Sequence, residues 1–164
     1  MTRLLTIVAS ILTLPAGVSL AGSVYLLDFE LRSLEEPVVH HLERYEGKPV
    51  LMMFFEPDCS WCYRQVRTIN RLGEDCGEGF TALAVGVNGN RTALQKELRR
   101  LRPDFPAYQA SPALVQAIGT VDATPLSLLG DANGDFVDWA RGYLPTERLR
   151  EFVQTSGDLH CDRR

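Results

Sequence analysis

"VLMMFFEPDCSWC", residues 50–62, joins an unbroken apolar run to two cysteines separated by two residues. The run Val50–Phe55 lies between Pro49 and Pro57 and is too short for a helix. It shows no alternation with polar residues, so it predicts a strand buried on both faces. Beyond the cysteines, Cys62, Val66, Ile69 and Leu72 recur at helical spacing, while Arg64, Arg67 and Arg71 take the opposite side. That pattern predicts an amphipathic helix, ending near Gly73, whose first turn holds the cysteine pair. The CxxC spacing alone allows a metal site, a structural cross-link or a dithiol that exchanges electrons.

The chain around this junction alternates in type. "FTALAVGV", residues 80–87, reads as a second apolar strand. A crossover helix separates it from the first, so the two should run parallel. "RTALQKELRRL", 91–101, predicts a helix with Leu94, Leu98 and Leu101 inward. Its basic residues read first as a solvated face, and alternatively as a patch for an acidic partner. "SPALVQAIG" is a short helix. "PLSLLG" and "FVDWARG" are two further strands, joined by "DANGD". The Asn133-Gly134 pair there is a hairpin signal, so these strands should be antiparallel. "PTERLREFV" closes the domain as a helix burying Leu149, Phe152 and Val153. Upstream, residues 24–34 show no clear period. "EEPVVHHLERYEG", 35–47, predicts a helix with Pro37 in its first turn and Gly47 as its stop. Val38, Leu42 and Tyr45 would form its apolar face, with His41 packed at the edge of the core. The sum is an α/β domain, a central mixed sheet with helices on both faces.

A chain of 164 residues is enough for one domain with a real core. A net charge of −4 advertises no nucleic-acid-binding surface. At the N-terminus, Arg3 precedes an apolar run from Leu4 to Leu14, then Pro15, Gly17 and the small-x-small pattern Ser19-Leu20-Ala21. Residues 1–21 therefore read as a secretory signal peptide, with the mature chain starting near Gly22. The alternative is an uncleaved anchor tethering the domain to the membrane, since no charge falls between Arg3 and Asp28. Either way the domain is expected outside the cytoplasm, in a periplasmic setting where disulfides persist. The expected organisation is leader 1–21, lead-in and first helix 22–47, main domain 48–157, and a tail 158–164 carrying Cys161. The four cysteines, Cys59, Cys62, Cys76 and Cys161, allow three pairings.

Strand, CxxC, helix, and a later Thr-Pro before a hairpin together resemble the thioredoxin fold. Within it, the chain is most similar to exported thiol:disulfide oxidoreductases of the TlpA/ResA-like branch. "GKPVLMMFFEPDCSWC" resembles that branch's Gly-Lys, apolar run, phenylalanine and CxxC. "VDATPLSLLGDANGDFVDWARGYLPTERL" resembles its cis-proline strand, its Asp-x-x-Gly hairpin and the glycine before the last helix. The likeness spans about residues 45–155. It departs in three places. Met53 stands where cytoplasmic thioredoxins keep a buried acid. Asp58 replaces the tryptophan before the first cysteine, and Gln65 replaces a glutamate common three residues after the second. Glu56 and Asp58 are the substitute carboxylates on offer, or else plain loop polarity.

The thiolate is the attacking species, and a helix N-terminus favours it. Cys59 is therefore the expected nucleophile, and Cys62, one turn further in, the resolving thiol. The resemblance implies that Thr124 and cis-Pro125 receive the substrate chain. Trp61 is either a contact for partner proteins or packed on its own helix. The resemblance also places the last helix beside the CxxC helix and running the same way. Cys76 and Cys161 would then meet at the end away from the site as a structural disulfide; otherwise they are free thiols or a second redox pair. A metal set of the CxxC with His40, His41 or His160 lacks a second close ligand pair, and none is expected. "DANGD" lacks the twelfth-position glutamate of a calcium loop. The implied partners are client protein thiols and disulfides and a membrane electron donor or acceptor, with the redox-active disulfide in place of a cofactor and the chain monomeric. The expected role is reductant. The alternatives are an oxidant or isomerase, or a redox-inactive or metal-binding module.

Overall fold

The computed structural model describes residues 24–157, 159 and 161. The leader expected over 1–21 and the candidate ligand His160 lie outside them. In chain order the elements are β1 (Glu30–Ser33), β2 (Val39–His41), β3 (Val50–Phe55), α1 (Ser60–Cys76), β4 (Thr81–Gly86), α2 (Arg91–Leu101), β5 (Ala107–Gln109), α3 (Pro112–Ile118), β6 (Leu126–Gly130), β7 (Phe136–Arg141) and α4 (Thr146–Gln154). The strands form one sheet in the order β2-β1-β5-β4-β3-β6-β7.

The apolar run lies deep in that sheet. β3 pairs with β4 in parallel and with β6 antiparallel, and all of its residues are buried. Leu51, Met53 and Phe55 face a layer built by α1, α2 and α4, including Val66, Ile69, Leu98 and Leu149. Val50, Met52 and Phe54 face the other layer, where Leu26, Leu27, Leu42 and Leu114 of the N-terminal segment and α3 pack. Burying such a side chain contributes about 1.5–3 kcal/mol. An unbroken apolar strand is what a sheet covered on both faces requires. β6 and β7 form the antiparallel hairpin, and Asn133-Gly134 sits in its turn with Gly134 at φ +87°.

The lead-in departs from its sequence reading. Residues 35–47 are not a helix. Val39–His41 is a strand pairing antiparallel with Glu30–Arg32, and only Leu42–Tyr45 turns, as one 3-10 turn. Two adjacent β-branched residues, Val38 and Val39, disfavour the helix. Strand β1, with Leu31 and Ser33 inward, offers an edge to pair with. Leu42 and Tyr45 still reach the core, whereas Val38 stays exposed. His41 is not packed at the core edge. It is exposed, with Nε2 3.1 Å from Glu30 Oε1. His40 instead reaches Tyr108, whose hydroxyl is 3.0 Å from Nδ1. Burial first, and then the hydrogen bond with Tyr45, hold the Tyr108 phenol above its ordinary range.

α1 does not stop near Gly73 but runs through it to Cys76, and Gly77 at φ +53° ends it. At that end the Cys76 and Cys161 sulfurs are bonded. α4 packs along α1 in the same direction: Leu144, just before α4, meets Gln65, and Arg150, within it, meets Asp75.

Candidate active site

β3 ends at Phe55, and the loop 56–58 turns the chain into α1. Asp58 makes the turn at φ +61°, a left-handed value that aspartate tolerates better than most residues. Cys59 is then the N-cap of α1, and its Sγ accepts the Cys62 N–H at 3.1 Å. The Cys59 and Cys62 sulfurs are bonded to each other. Cys59 keeps 9% of its surface exposed and Cys62 keeps none, so the second sulfur is enclosed and any approach is to Cys59. The unpaired amides and dipole of the first turn favour negative charge there.

Across from Cys59 stands the cis peptide Thr124–Pro125. The Thr124 hydroxyl is 2.8 Å from Glu56 Oε1 and 3.3 Å from Cys59 Sγ. It carries one proton, and the shorter contact to a carboxylate takes it. Asn88 Nδ2 donates to the other Glu56 oxygen at 2.9 Å and to the Val121 carbonyl at 3.0 Å. Glu56 thus ties together the loop before α1, the loop after β4 and the segment entering β6. It is a structural hub one hydroxyl away from the sulfur, which plain loop polarity does not describe.

Arg100 of α2 reaches the same place from the other side. Its guanidinium donates to the Cys59 carbonyl at 2.7 Å. Glu97, itself buried, accepts from Arg100 Nε at 3.1 Å and from Nη2 through its other oxygen. That hydrogen bonding holds the guanidinium above even its ordinary range, against the opposing effect of burial, and Asp58 adds attraction. Asp58 itself is exposed.

Trp61 packs partly on its own helix, through Arg64, and partly on the segment after β7. It is 51% exposed, yet its ring stacks on Tyr143 at 5.9 Å and carries the Arg64 guanidinium 4.8 Å from its centroid. Gln65 lies fully buried on the inner side of α1. Its Oε1 accepts the Leu144 N–H at 2.7 Å, while Nε2 has no partner among the described residues. Met53 and its register partner Ser127 are both buried, and the Ser127 hydroxyl also lacks a partner among the described residues. Cys76 and Cys161 lie away from this cluster, at the far end of a helix about 25 Å long. Among the described residues no group of three or more His, Cys, Asp or Glu side chains converges as a metal site.

Sequence reasoning missed Asn88, Glu97, Arg100 and Tyr143. Asn88 had a signal, since it follows the carboxyl end of β4, the parallel neighbour of β3, where α/β sheets build their sites. Arg100 had none, being one basic residue among several on a helix read as solvated.

No protein-family model matches the sequence, and no curated protein matches it. Solved structures do. MTB DsbF, in mixed oxidized and reduced forms, superposes with a TM-score of 0.69 at 19% identity, over 82% of this chain and 99% of that one. A thiol:disulfide interchange protein of the thioredoxin family from Chlorobium tepidum gives 0.69 at 18%, over 83% and 97%. A secreted Mycobacterium tuberculosis disulfide oxidoreductase homologous to E. coli DsbE gives 0.62 at 14%, over 79% and 95%. At these identities the likeness shows the fold: the chain has a thioredoxin-like α/β fold, a mixed seven-stranded sheet with the CxxC at the start of α1.

Proposed function

We propose that the protein is an exported thiol:disulfide oxidoreductase that works as a reductant of client protein disulfides through Cys59 and Cys62. The observation that carries this reading is the bonded pair at the N-cap of α1, with one sulfur reachable and facing Thr124–Pro125, the other enclosed. The fold shared with thiol:disulfide interchange proteins supports it.

In the reduced protein, the Cys59 thiolate attacks one sulfur of a client disulfide. A Cys59–client bond forms, the client bond breaks, and the client's other sulfur leaves as a thiolate. Cys62, having given up its proton, then attacks Cys59 Sγ and expels the client's second sulfur. The client gains two electrons and the protein keeps the Cys59–Cys62 disulfide. The two sulfurs are the whole redox group, so this chemistry needs no further cofactor. Thr124 and Pro125 line the client's approach, and the exposed face of Trp61 extends it.

Charge near the sulfur supports this direction. A couple oxidises strongly when its thiolate is stabilised. Here Glu56 shares the Thr124 hydroxyl with Cys59, and Asp58 immediately precedes it. Both carboxylates oppose a second negative charge on Cys59. Arg100 answers in part, but its guanidinium is engaged by Glu97 and addresses the carbonyl of Cys59 rather than its sulfur. Set against the thiolate-favouring amides of the α1 N-terminus, these carboxylates support a couple that holds its disulfide and so passes electrons to the client. A reductant outside the cytoplasm needs its own electron supply, which we assign to a membrane donor. The leader-like sequence over 1–21 supports export and leaves cleavage or tethering as its two outcomes.

The test is reduction of insulin by the reduced protein, together with the equilibrium of its couple against glutathione. We expect turnover and a potential near that of thioredoxin, about −270 mV. No turnover, or a potential near −120 mV, would overturn the reading or reverse its direction. Cys62→Ser should accumulate a mixed disulfide between Cys59 and client, seen as a mass adduct removed by dithiothreitol.

A further inference from the structure

Beside Cys59 the surface is strongly basic, although the chain carries a net charge of −4. Arg67 of α1 and Arg99, Arg100 and Arg102 at the end of α2 line, with Tyr63, an open groove of about 410 Å³. Two contacts fix the helices on either side of it. Asn70 Nδ2 of α1 donates to the Arg102 carbonyl at 3.1 Å, and Arg100 reaches the Cys59 carbonyl at 2.7 Å. Arg100 also lies 5.8 Å from the centroid of the Tyr63 ring. One end of the groove therefore lies beside the active-site helix start, since Arg100, which lines it, donates to the Cys59 carbonyl.

Most of this charge is unmatched. Glu97 engages Arg100, and Asp58 acts on it as well. Arg67, Arg99 and Arg102 are exposed and form no ion pair among the described residues. The dipole of α2 favours cations in its last turn, which accounts for Arg99 and Arg100. It does not account for Arg67, which stands on another helix, or for Arg102, which lies past the helix end. Arg102 also adopts φ +52° at a capping position where glycine is the usual occupant. Its side chain makes no hydrogen bond among the described residues that would compensate for that conformation.

We infer that this groove docks an acidic stretch of the client polypeptide, an Asp- or Glu-rich segment flanking the disulfide that Cys59 attacks. The inference rests on the thiol:disulfide exchange proposed above and adds the client's chemistry to it. Opposite charge at the mouth of a site raises the encounter rate and fixes orientation. The groove suits a chain rather than a membrane. The arginines lie in a groove between α1 and α2 whose Arg100 reaches the Cys59 backbone, so an extended acidic segment lying in it is held next to the site where its neighbouring cystine reacts.

The test uses the full reduced chain in single-turnover reactions. Two synthetic peptides share one disulfide ring and differ in flanks, acidic in one and lysine-rich in the other; bis(2-hydroxyethyl) disulfide is the uncharged control. We expect the acidic peptide to react about tenfold faster at low ionic strength, and the advantage to fade by about 0.5 M salt. The variant Arg67→Gln/Arg99→Gln/Arg102→Gln should level the two peptides, and Arg→Glu at the same positions should invert their order. A wild-type protein that reduces the control but treats both peptides alike overturns the docking inference. One that reduces neither the control nor the peptides overturns the oxidoreductase reading instead. Arginine-dependent binding to phosphatidylglycerol vesicles, with no preference between peptides, also overturns the inference and reassigns the groove to a membrane.

Discussion

The two ends of α1 carry the same covalent bond in opposite surroundings. At the N-terminal end Cys59–Cys62 closes a loop with a sequence separation of 3; at the C-terminal end Cys76–Cys161 closes one with a separation of 85. The short loop restricts the unfolded chain very little, and the long one restricts it greatly. The helix dipole divides them again. Its positive end lies at Cys59 and favours a thiolate, while its negative end lies at Cys76 and opposes one. Arg150 stands 3.8 Å from Cys76 Sγ but is already engaged by Asp75. On the proposed function, one helix thus separates a bond placed for exchange from a bond that closes a long loop.

Swapping the losses is the strongest way to break that contrast. Cys59→Ser should drop insulin reduction to background while moving the urea midpoint little. Removing the far bridge with Cys76→Ser/Cys161→Ser should cost about 2–4 kcal/mol of unfolding free energy yet leave turnover at 25 °C. A double variant that keeps full stability, or that loses turnover while still folded, would mean the two ends do not divide the work this way.

Glu56 tests the chemistry of the reactive end alone. Glu56→Gln preserves a hydrogen-bonding partner for Thr124 and Asn88 and removes the charge. The Cys59 thiolate then faces less repulsion, the reduced form gains, and the couple becomes more oxidising. We expect its potential to rise by about 15–30 mV, which corresponds to roughly 0.7–1.4 kcal/mol. The same change at Asp58, which is exposed and screened by water, should move the potential less. Equal shifts would argue that the hub geometry around Glu56 is irrelevant to the sulfur.

The reactive end was legible in the sequence because its signals are local. An apolar run between prolines, two cysteines and a helical period all fall within residues 50–72. What surrounds the sulfur was much less legible. Asn88 meets Glu56 across 32 positions and Arg100 meets Cys59 across 41, and no spacing rule connects them. Strand β2 failed for a related reason. Val38, Leu42 and Tyr45 happen to match a helical face, but a three-residue strand is stabilised by its pairing with β1, which a local pattern cannot display. β5 is equally short, and it is determined by the strands on its two sides, β4 and β1.

The smallest effect is expected at the far end, where the ion pair and the disulfide act on the same segments. Arg150 Nη2 lies 3.1 Å from Asp75 Oδ2, with both side chains partly exposed. A pair in that setting contributes up to about 1 kcal/mol, so Arg150→Ala alone should shift stability by no more than that. The informative measurement is the cycle with the disulfide removed. While Cys76 and Cys161 are bonded, the ends of α1 and of the chain stay together whether or not Arg150 is present. Without the bond, the ion pair adds to the apolar packing of Leu149, Phe152 and Val153 that still holds α4 against α1. The cost of Arg150→Ala should therefore be larger in the Cys76→Ser/Cys161→Ser background than in the wild type, by a few tenths of a kcal/mol. If the two costs are equal, the ion pair and the disulfide secure different parts of that end, and the bridge restrains only the tail beyond α4.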